Sequence, residues 1–238
     1  MLSKLIKLFS LNFYFDKLSR NTYDTNASIL LHRLFPDATI LPFTTFSLNP
    51  NTILHVINDL QINNRKSIIE FGSGISTVIL AKFIVENKLD AKIISIEDNK
   101  SWCDFIASQL EKYNCKQVVT LHHIPLVKNS SEVLWYDKNE VAKVVNNQKF
   151  DLILVDGPSG GLGKESRKPA VPSIINNINE DFSVFLDDVR RLDERKILND
   201  WFILLKESKF DVKKINPKNK VYGILTSGKS FSSNPVNH

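Results

Sequence analysis

Cysteine is nearly absent. Cys103 and Cys115 are the only two in 238 residues, which excludes a disulfide scaffold and a cysteine-rich zinc site. Long apolar runs are missing too: nothing approaches the roughly 18 uninterrupted residues that a membrane-crossing helix needs. At the start of the chain Lys7 breaks the apolar run and no small-residue cleavage site follows, so no signal peptide is expected. With so few cysteines, this predicts a reducing, cytoplasmic setting. Glycine is the most informative scarcity. There are eight, and six of them fall in two short stretches, Gly72 and Gly74, then Gly157, Gly160, Gly161 and Gly163. A chain that gathers its glycines in two places marks where backbone must turn sharply or approach a ligand.

What is present suits one ordinary domain. The chain is 42% hydrophobic and 24% charged, enough for a real core. The net charge of +5 and pI near 9.1 invite a nucleic-acid reading. The lysines are dispersed, however, with only a mild concentration from Lys206 to Lys220 and no Arg-rich stripe, so nucleic acid is set aside as a partner.

Residues 1–48 read as a helical, then irregular appendage, 49–228 as the main domain, and 229–238 as a tail. In residues 1–20, Leu2, Leu5, Ile6, Phe9 and Phe13 share one helical face with Lys4 and Lys7 interspersed. That face suits docking on the domain itself, or contact with a membrane surface or partner. From Asn49-Pro50 the pattern becomes regular. Strands are predicted at 66–71, 91–97, 117–121, 150–156 and 182–187. Helices are predicted at 50–60, 75–86, 99–110, 137–148, 169–177 and 190–206. Two last strands, 210–215 and 220–226, are joined by the turn Asn216-Pro217-Lys218-Asn219. This alternation predicts an α/β fold, a parallel sheet with helices on both faces and an antiparallel edge.

In such a sheet the ligand lies where the carboxyl ends of the strands meet the following loops. After the first strand comes Glu70-Phe71-Gly72-Ser73-Gly74-Ile75-Ser76-Thr77, which opens a helix whose N-terminus offers free N–H groups. After the second come Glu97 and Asp98, where a carboxylate accepts from both hydroxyls of a ribose. Asp156-Gly157-Pro158 follows the fourth strand, leading into a loop to Lys168 that carries Ser159, Lys164, Glu165 and Arg167. Asp187 and Asp188 follow the fifth, with Arg190 and Arg191 beyond. Three carboxylates aimed into one crevice repel one another, so their placement implies a bound cation, a bound amine or service as a base.

These residues resemble the class I S-adenosylmethionine (SAM)-dependent methyltransferases. The motifs that carry the resemblance are E-F-G-S-G-x-S-T, the acid Glu97, V-D-G-P and L-D-D-x-R, spread over residues 50–226. It implies a Rossmann-like seven-stranded sheet in the order 3-2-1-4-5-7-6, with strand 7 antiparallel. It also implies that Glu70, Gly72 and Gly74 hold the methionine end of the cofactor and Glu97 the ribose, with Ser73, Ser76 and Asp98 beside them as further cofactor-binding residues. The family's commonest loop has a third glycine where this chain has Ser76, which fits a G-S-G-x-S-T subset. Resemblance to catechol-type O-methyltransferases places magnesium (Mg2+) ligands at Asp156, Asp187 and Asp188, although a lysine of those enzymes is replaced here by the Ser159-Gly160 stretch.

The activity so implied is methyl transfer to an acceptor, with a hydroxyl of a small molecule or glycan favoured. Asp156 is the first candidate for base or orienting group, and Asp187 or Asp188 the second. The 157–168 loop is the expected lid. Its Lys164, Arg167 and Lys168 suit an acidic acceptor, or are simply solvated. Two rivals remain: a catalytically silent cofactor-binding scaffold of the same fold, and an NAD-dependent oxidoreductase.

Other motifs are set aside. Gly223–Ser230 spells a P-loop, but no helix follows to aim its dipole at phosphate. His122 and His123 sit at a strand rim. The glycosylation patterns at Asn26 and Asn129 have no meaning in a cytoplasmic chain.

Overall fold

The computed structural model describes residues 2–37, 40–128, 133–215, 217 and 221–235, with backbone alone for 2–13 and 16. The apolar face expected from Leu2 to Phe13, the pattern at Asn129 and most of the 216–219 turn therefore lie outside the described side chains.

The chain opens with α1 (Leu2–His32), longer than the expected 1–20 segment. The first proline is Pro36 and no glycine precedes it, so nothing stops the helix earlier. Its last turns and the segment after it contribute Leu31, Phe35, Leu41 and Leu48 to the buried core around α2 (Pro50–Ile62), which starts on a proline in its first turn. Then follow β1 (Ser67–Phe71), α3 (Ile75–Glu86), β2 (Lys92–Glu97), α4 (Lys100–Lys112) and β3 (Val119–His123). The Asn99 side chain accepts from the Trp102 N–H and caps α4 as the sequence predicts.

A two-stranded pair absent from the sequence reading comes next, β4 (Leu126–Lys128) with β5 (Leu134–Tyr136). After it come α5 (Lys138–Val145), β6 (Phe150–Val155), α6 (Ala170–Ser173), β7 (Ile178–Leu186), α7 (Leu192–Glu207), β8 (Val212–Ile215) and β9 (Gly223–Ser227). The helix expected at 169–177 is shorter than predicted, a single turn of α followed by a 3-10 turn at Ile175–Asn177.

The main sheet runs β3-β2-β1-β6-β7-β9-β8. Every pair is parallel except those of β9, which runs antiparallel to both β7 and β8. This is the expected order, with β6, β7, β8 and β9 as the fourth to seventh strands. Both faces are covered, so the strands read as continuous apolar runs whose alternate residues serve different cores. Ile68, Ile93, Leu152 and Leu154 pack under α2, α3 and α4, while Ile69, Ile94, Ile153 and Val155 pack under α5 and α7. The P-loop look-alike is β9 itself, with Ser230 tied to Arg65 just beyond it. Among the described residues no helix is long and apolar enough to cross a membrane.

Candidate functional site

The carboxyl ends of β1 and β6 lie side by side, and the two glycine loops that leave them are pressed together. Gly72 has φ +90°, and a Cβ built there would stand 2.6 Å from the Gly157 nitrogen. A Cβ on Gly157 would meet the Gly72 Cα at 2.6 Å and the Tyr136 hydroxyl at 2.6 Å. The N–H groups of Asp156 and Gly157 both donate to the Phe71 carbonyl, at 3.0 and 2.6 Å. Gly72 thus serves loop-to-loop packing. Gly74 differs: an added Cβ would meet only Ser76 Oγ at 3.6 Å and otherwise open cavity.

Glu70 is fully buried and does not line the cavity, whereas the family resemblance implies that it holds the methionine end of a cofactor. Its carboxylate accepts from the hydroxyls of Ser76 (2.6 Å), Thr77 (2.5 Å) and Ser95 (2.7 Å). Thr77 Oγ1 in turn accepts from the Gly74 N–H at 3.0 Å. Glu70 therefore clamps the first turn of α3 to β2 and sets the glycine loop from behind. Burial pushes its pKa up to about 7, against the lowering pull of the three hydroxyls. Glu70→Ala strands three buried hydroxyls, and we expect a loss of about 3 kcal/mol in urea denaturation.

Glu97 lies on the cavity wall at the end of β2. One carboxylate oxygen accepts from the N–H (3.0 Å) and hydroxyl (3.2 Å) of Ser73, the other from the Asn99 N–H (2.9 Å). A carboxylate offers about four acceptor sites, so one stays open, and a second opens if the Ser73 hydroxyl turns away. Burial raises the pKa of Glu97, and likewise that of its neighbour Asp98. Trp102 packs against the core from one side, lines this wall with the other, and donates its indole N–H to the Ser73 carbonyl at 2.9 Å. His122 and His123 lie within β3, paired with Ile96 and Glu97, and neither lines the cavity.

Opposite stand the three acids, drawn together as the sequence predicts: one oxygen from each of Asp156, Asp187 and Asp188 lies within 4.8 Å of the others. Asp188 holds φ +62° at the end of its strand. Their partner comes from the 157–168 loop. The guanidinium of Arg167, its side chain 4% exposed, lies 3.2 Å from Asp156 and 3.3 Å from Asp188. Arg191 approaches Asp188 at 3.1 Å from outside. Burial pushes Asp156 up to about 6; the two arginines pull against it and Asp188 adds to it. Asp187 is held well above the ordinary carboxylate range by burial, with the charges of Asp156 and Asp188 adding to it.

Two of the loop's three cations, Arg167 and Lys168, are engaged internally. Lys168 pairs with Glu165 and Asp200, Glu165 also takes Lys196, and Trp201 donates to the Lys168 carbonyl. Arg167 and Lys168 are therefore not available to greet an acidic acceptor, and the second half of the expected lid is fastened down. A magnesium ion does not fit among the three acids as they stand, because the guanidinium already lies among them.

Together these parts enclose a cavity of about 520 Å³. Gly72, Ser73, Gly74, Ser76, Glu97, Asp98, Asp156, Asp187 and Asp188 all border it, so of the site residues singled out in the sequence Glu70 alone is set back. Sequence reasoning missed the segment Thr44–Asn49, which forms the remaining wall. It is a turn held by Thr44 N–H to Ser47 Oγ (2.9 Å) and Phe46 N–H to Thr44 Oγ1 (3.2 Å), with the Phe46 ring 84% exposed. The Thr-Thr-x-Ser string was its only signal.

No protein-family model matches this sequence, and no curated protein sequence resembles it. Solved structures do. The O-methyltransferase TomG from Streptomyces achromogenes, involved in tomaymycin synthesis and solved with SAM, superposes with TM-score 0.57 at 16% identity, over 92% of this chain and 96% of that one. An O-methyltransferase from Bacillus cereus, in complex with SAH (S-adenosylhomocysteine), gives TM-score 0.57 at 15% identity, over 86% and 89%. The chain has the class I methyltransferase fold. An SAH-bound methyltransferase from Podospora anserina matches as well, with TM-score 0.57 at 17% identity, over 87% and 88% of the two chains. Within this fold the cavity lies at the carboxyl ends of the strands, where an open α/β sheet places its ligands.

Proposed function

We propose that this protein is a SAM-dependent methyltransferase whose acceptor is a hydroxyl of a small molecule or glycan. The carrying observation is that the open edge at Gly74 and the Glu97 carboxylate share one cavity wall. The charge of the cavity supports the reading. Even with Asp187 protonated, four carboxylates (Glu97, Asp98, Asp156 and Asp188) face two guanidiniums in a chain of net charge +5. Such a site favours a ligand with positive centres, and SAM carries a sulfonium and an ammonium.

The residues present fit that cofactor. Gly74 leaves room where any side chain would project, Glu97 keeps acceptor capacity for ribose hydroxyls, and the Ser73 and Trp102 contacts fix the loop between them. When bound, SAM supplies a methyl group made electrophilic by the sulfonium. The protein's part is to hold an acceptor oxygen in line and remove its proton. Asp156, 18% exposed at the cavity and shifted toward neutral pH, is the group we assign to take that proton. Asp188 is engaged by two arginines, and Asp187 is buried behind them.

Calorimetric titration with SAM, SAH, NAD and ATP tests the cofactor. We expect micromolar binding of the two sulfur nucleosides alone, weakened about a hundredfold by Glu97→Ala, the worth of two hydrogen bonds to a charged acceptor. A preference for NAD or ATP, or no binding at all, removes the methyltransferase reading.

A further inference from the structure

Three carboxylates converging within 4.8 Å offer the hard oxygen donors that a divalent cation takes. Here a side chain fills that role. Arg167 Nη2 lies 3.2 Å from Asp156 Oδ1 and Nη1 lies 3.3 Å from Asp188 Oδ2. The same guanidinium also donates to backbone: Nε to the Pro158 carbonyl at 3.2 Å, and Nη1 to the Asp187 carbonyl at 3.4 Å. An arginine drawn in from the surface merely as a counter-ion would be held by the acids alone. This one is anchored by carbonyls from the loop after β6 and the end of β7, and 4% of its side chain is exposed. Its position is built by the two loops that also carry the acids, and moving it would unpair donors in a buried place.

We infer that Arg167 is the resident cation of the Asp156–Asp187–Asp188 cluster, that the cluster takes no divalent metal while Arg167 is in place, and that Arg167 positions Asp156 toward the cavity. Arg191 is shared between Asp188 and Glu194, at 3.1 and 3.7 Å, so the three acids face Arg167 and only part of a second positive charge and are left short of at least one. That shortfall falls on Asp187, whose Oδ1 is buried without a partner among the described residues. The inference deepens the methyltransferase reading, because it makes the acceptor step independent of metal. Its test does not need that reading to hold.

The test is a titration of the cofactor-free protein with Mn2+, followed by electron paramagnetic resonance. The wild type is expected to leave the free-ion signal at full amplitude up to about 1 mM, the weak end of oxygen-ligand sites. Arg167→Ala, checked for folding by circular dichroism, is expected to bind one Mn2+ at least tenfold more tightly, and a second substitution, Asp187→Asn, to abolish that binding. Arg167→Gln, close to isosteric and uncharged, is expected to behave as Arg167→Ala and stands in for it if the smaller side chain prevents folding. Wild-type binding below about 100 μM that Asp187→Asn removes would overturn the inference, as would folded neutral variants that gain no Mn2+ site. If neither variant folds, the wild-type titration decides alone. A second readout is chelation: with EDTA present, wild-type turnover is expected to be unchanged. Failure of SAM to bind would sink the proposed activity and leave the Mn2+ result standing, so the two failures are distinguishable.

Discussion

Asp156→Asn is expected to lower kcat by about a thousandfold while leaving SAM affinity within about twofold, the loss typical of removing a general base. Asparagine keeps the shape and one acceptor oxygen, so the Arg167 contact and the Phe71 backbone bonds persist, and only the capacity to take a proton is lost. The pH profile supplies a second check. A base must be deprotonated to act, and the pKa of Asp156 is raised to about 6. The acid limb of kcat/KM should therefore fall below pH 6 and be flat above it, whereas an ordinary aspartate would place the limb near pH 4. Burial and the charge of Asp188 push that position up, while Arg167 and Arg191 pull it down. Turnover is read as SAH release with a panel of hydroxylated aromatic and sugar acceptors. If Asp156→Asn weakens cofactor binding as much as it slows turnover, Asp156 belongs to the binding site and is not the base. A silent scaffold has no turnover to lose.

What the sequence displayed well was whatever is set by strand ends and helix starts. Short, largely apolar runs at 66–71, 91–97 and 150–156 located three central strands within a residue, because strands covered on both faces are apolar through most of their length. Once strands alternate with helices, each carboxylate just past a strand must come to one rim. That is why Glu97, Asp98, Asp156, Asp187 and Asp188 meet at the cavity. The rest depends on where side chains turn and which distant segments return. Glu70 lies within β1, one residue before its end, and points into the sheet's buried face, where three hydroxyls invisible to any periodicity await it. Trp102 sits at core spacing and does pack against the core, but its second role at the cavity wall is hidden, since pattern cannot show that one helix face reaches both. Arg167 read as a loop cation because nothing in the sequence shows the loop folding back over eleven residues to Asp156. Three-residue strands such as β4 and β5 are too short to show alternation at all.

The second large effect separates glycines that the sequence treats alike. Gly72→Ala is expected to cost about 4 kcal/mol or more, enough to unfold much of a marginally stable domain. An alanine at φ +90° is strained in itself, by about 1–2 kcal/mol. Its Cβ would also stand 2.6 and 2.7 Å from the Gly157 nitrogen and Cα, atoms of backbone that cannot swing aside. Gly157 cannot retreat, because its N–H donates to the Phe71 carbonyl and Tyr136 lies behind it. Gly74→Ala makes the contrast. Gly74 is extended at φ −164°, a conformation open to any residue, and the new methyl would meet only Ser76 Oγ at 3.6 Å. Its stability loss should stay near 1 kcal/mol, the difference between glycine and alanine at a helix N-cap. The methyl instead projects into the cavity beside Glu97, so SAM affinity should fall at least tenfold in a protein that still folds. Paired denaturation and calorimetry on the two variants read both effects. Should Gly72→Ala fold with wild-type stability, the loop-to-loop contact is not what fixes that glycine; should Gly74→Ala bind SAM unimpaired, the cofactor does not pass over that edge of the loop.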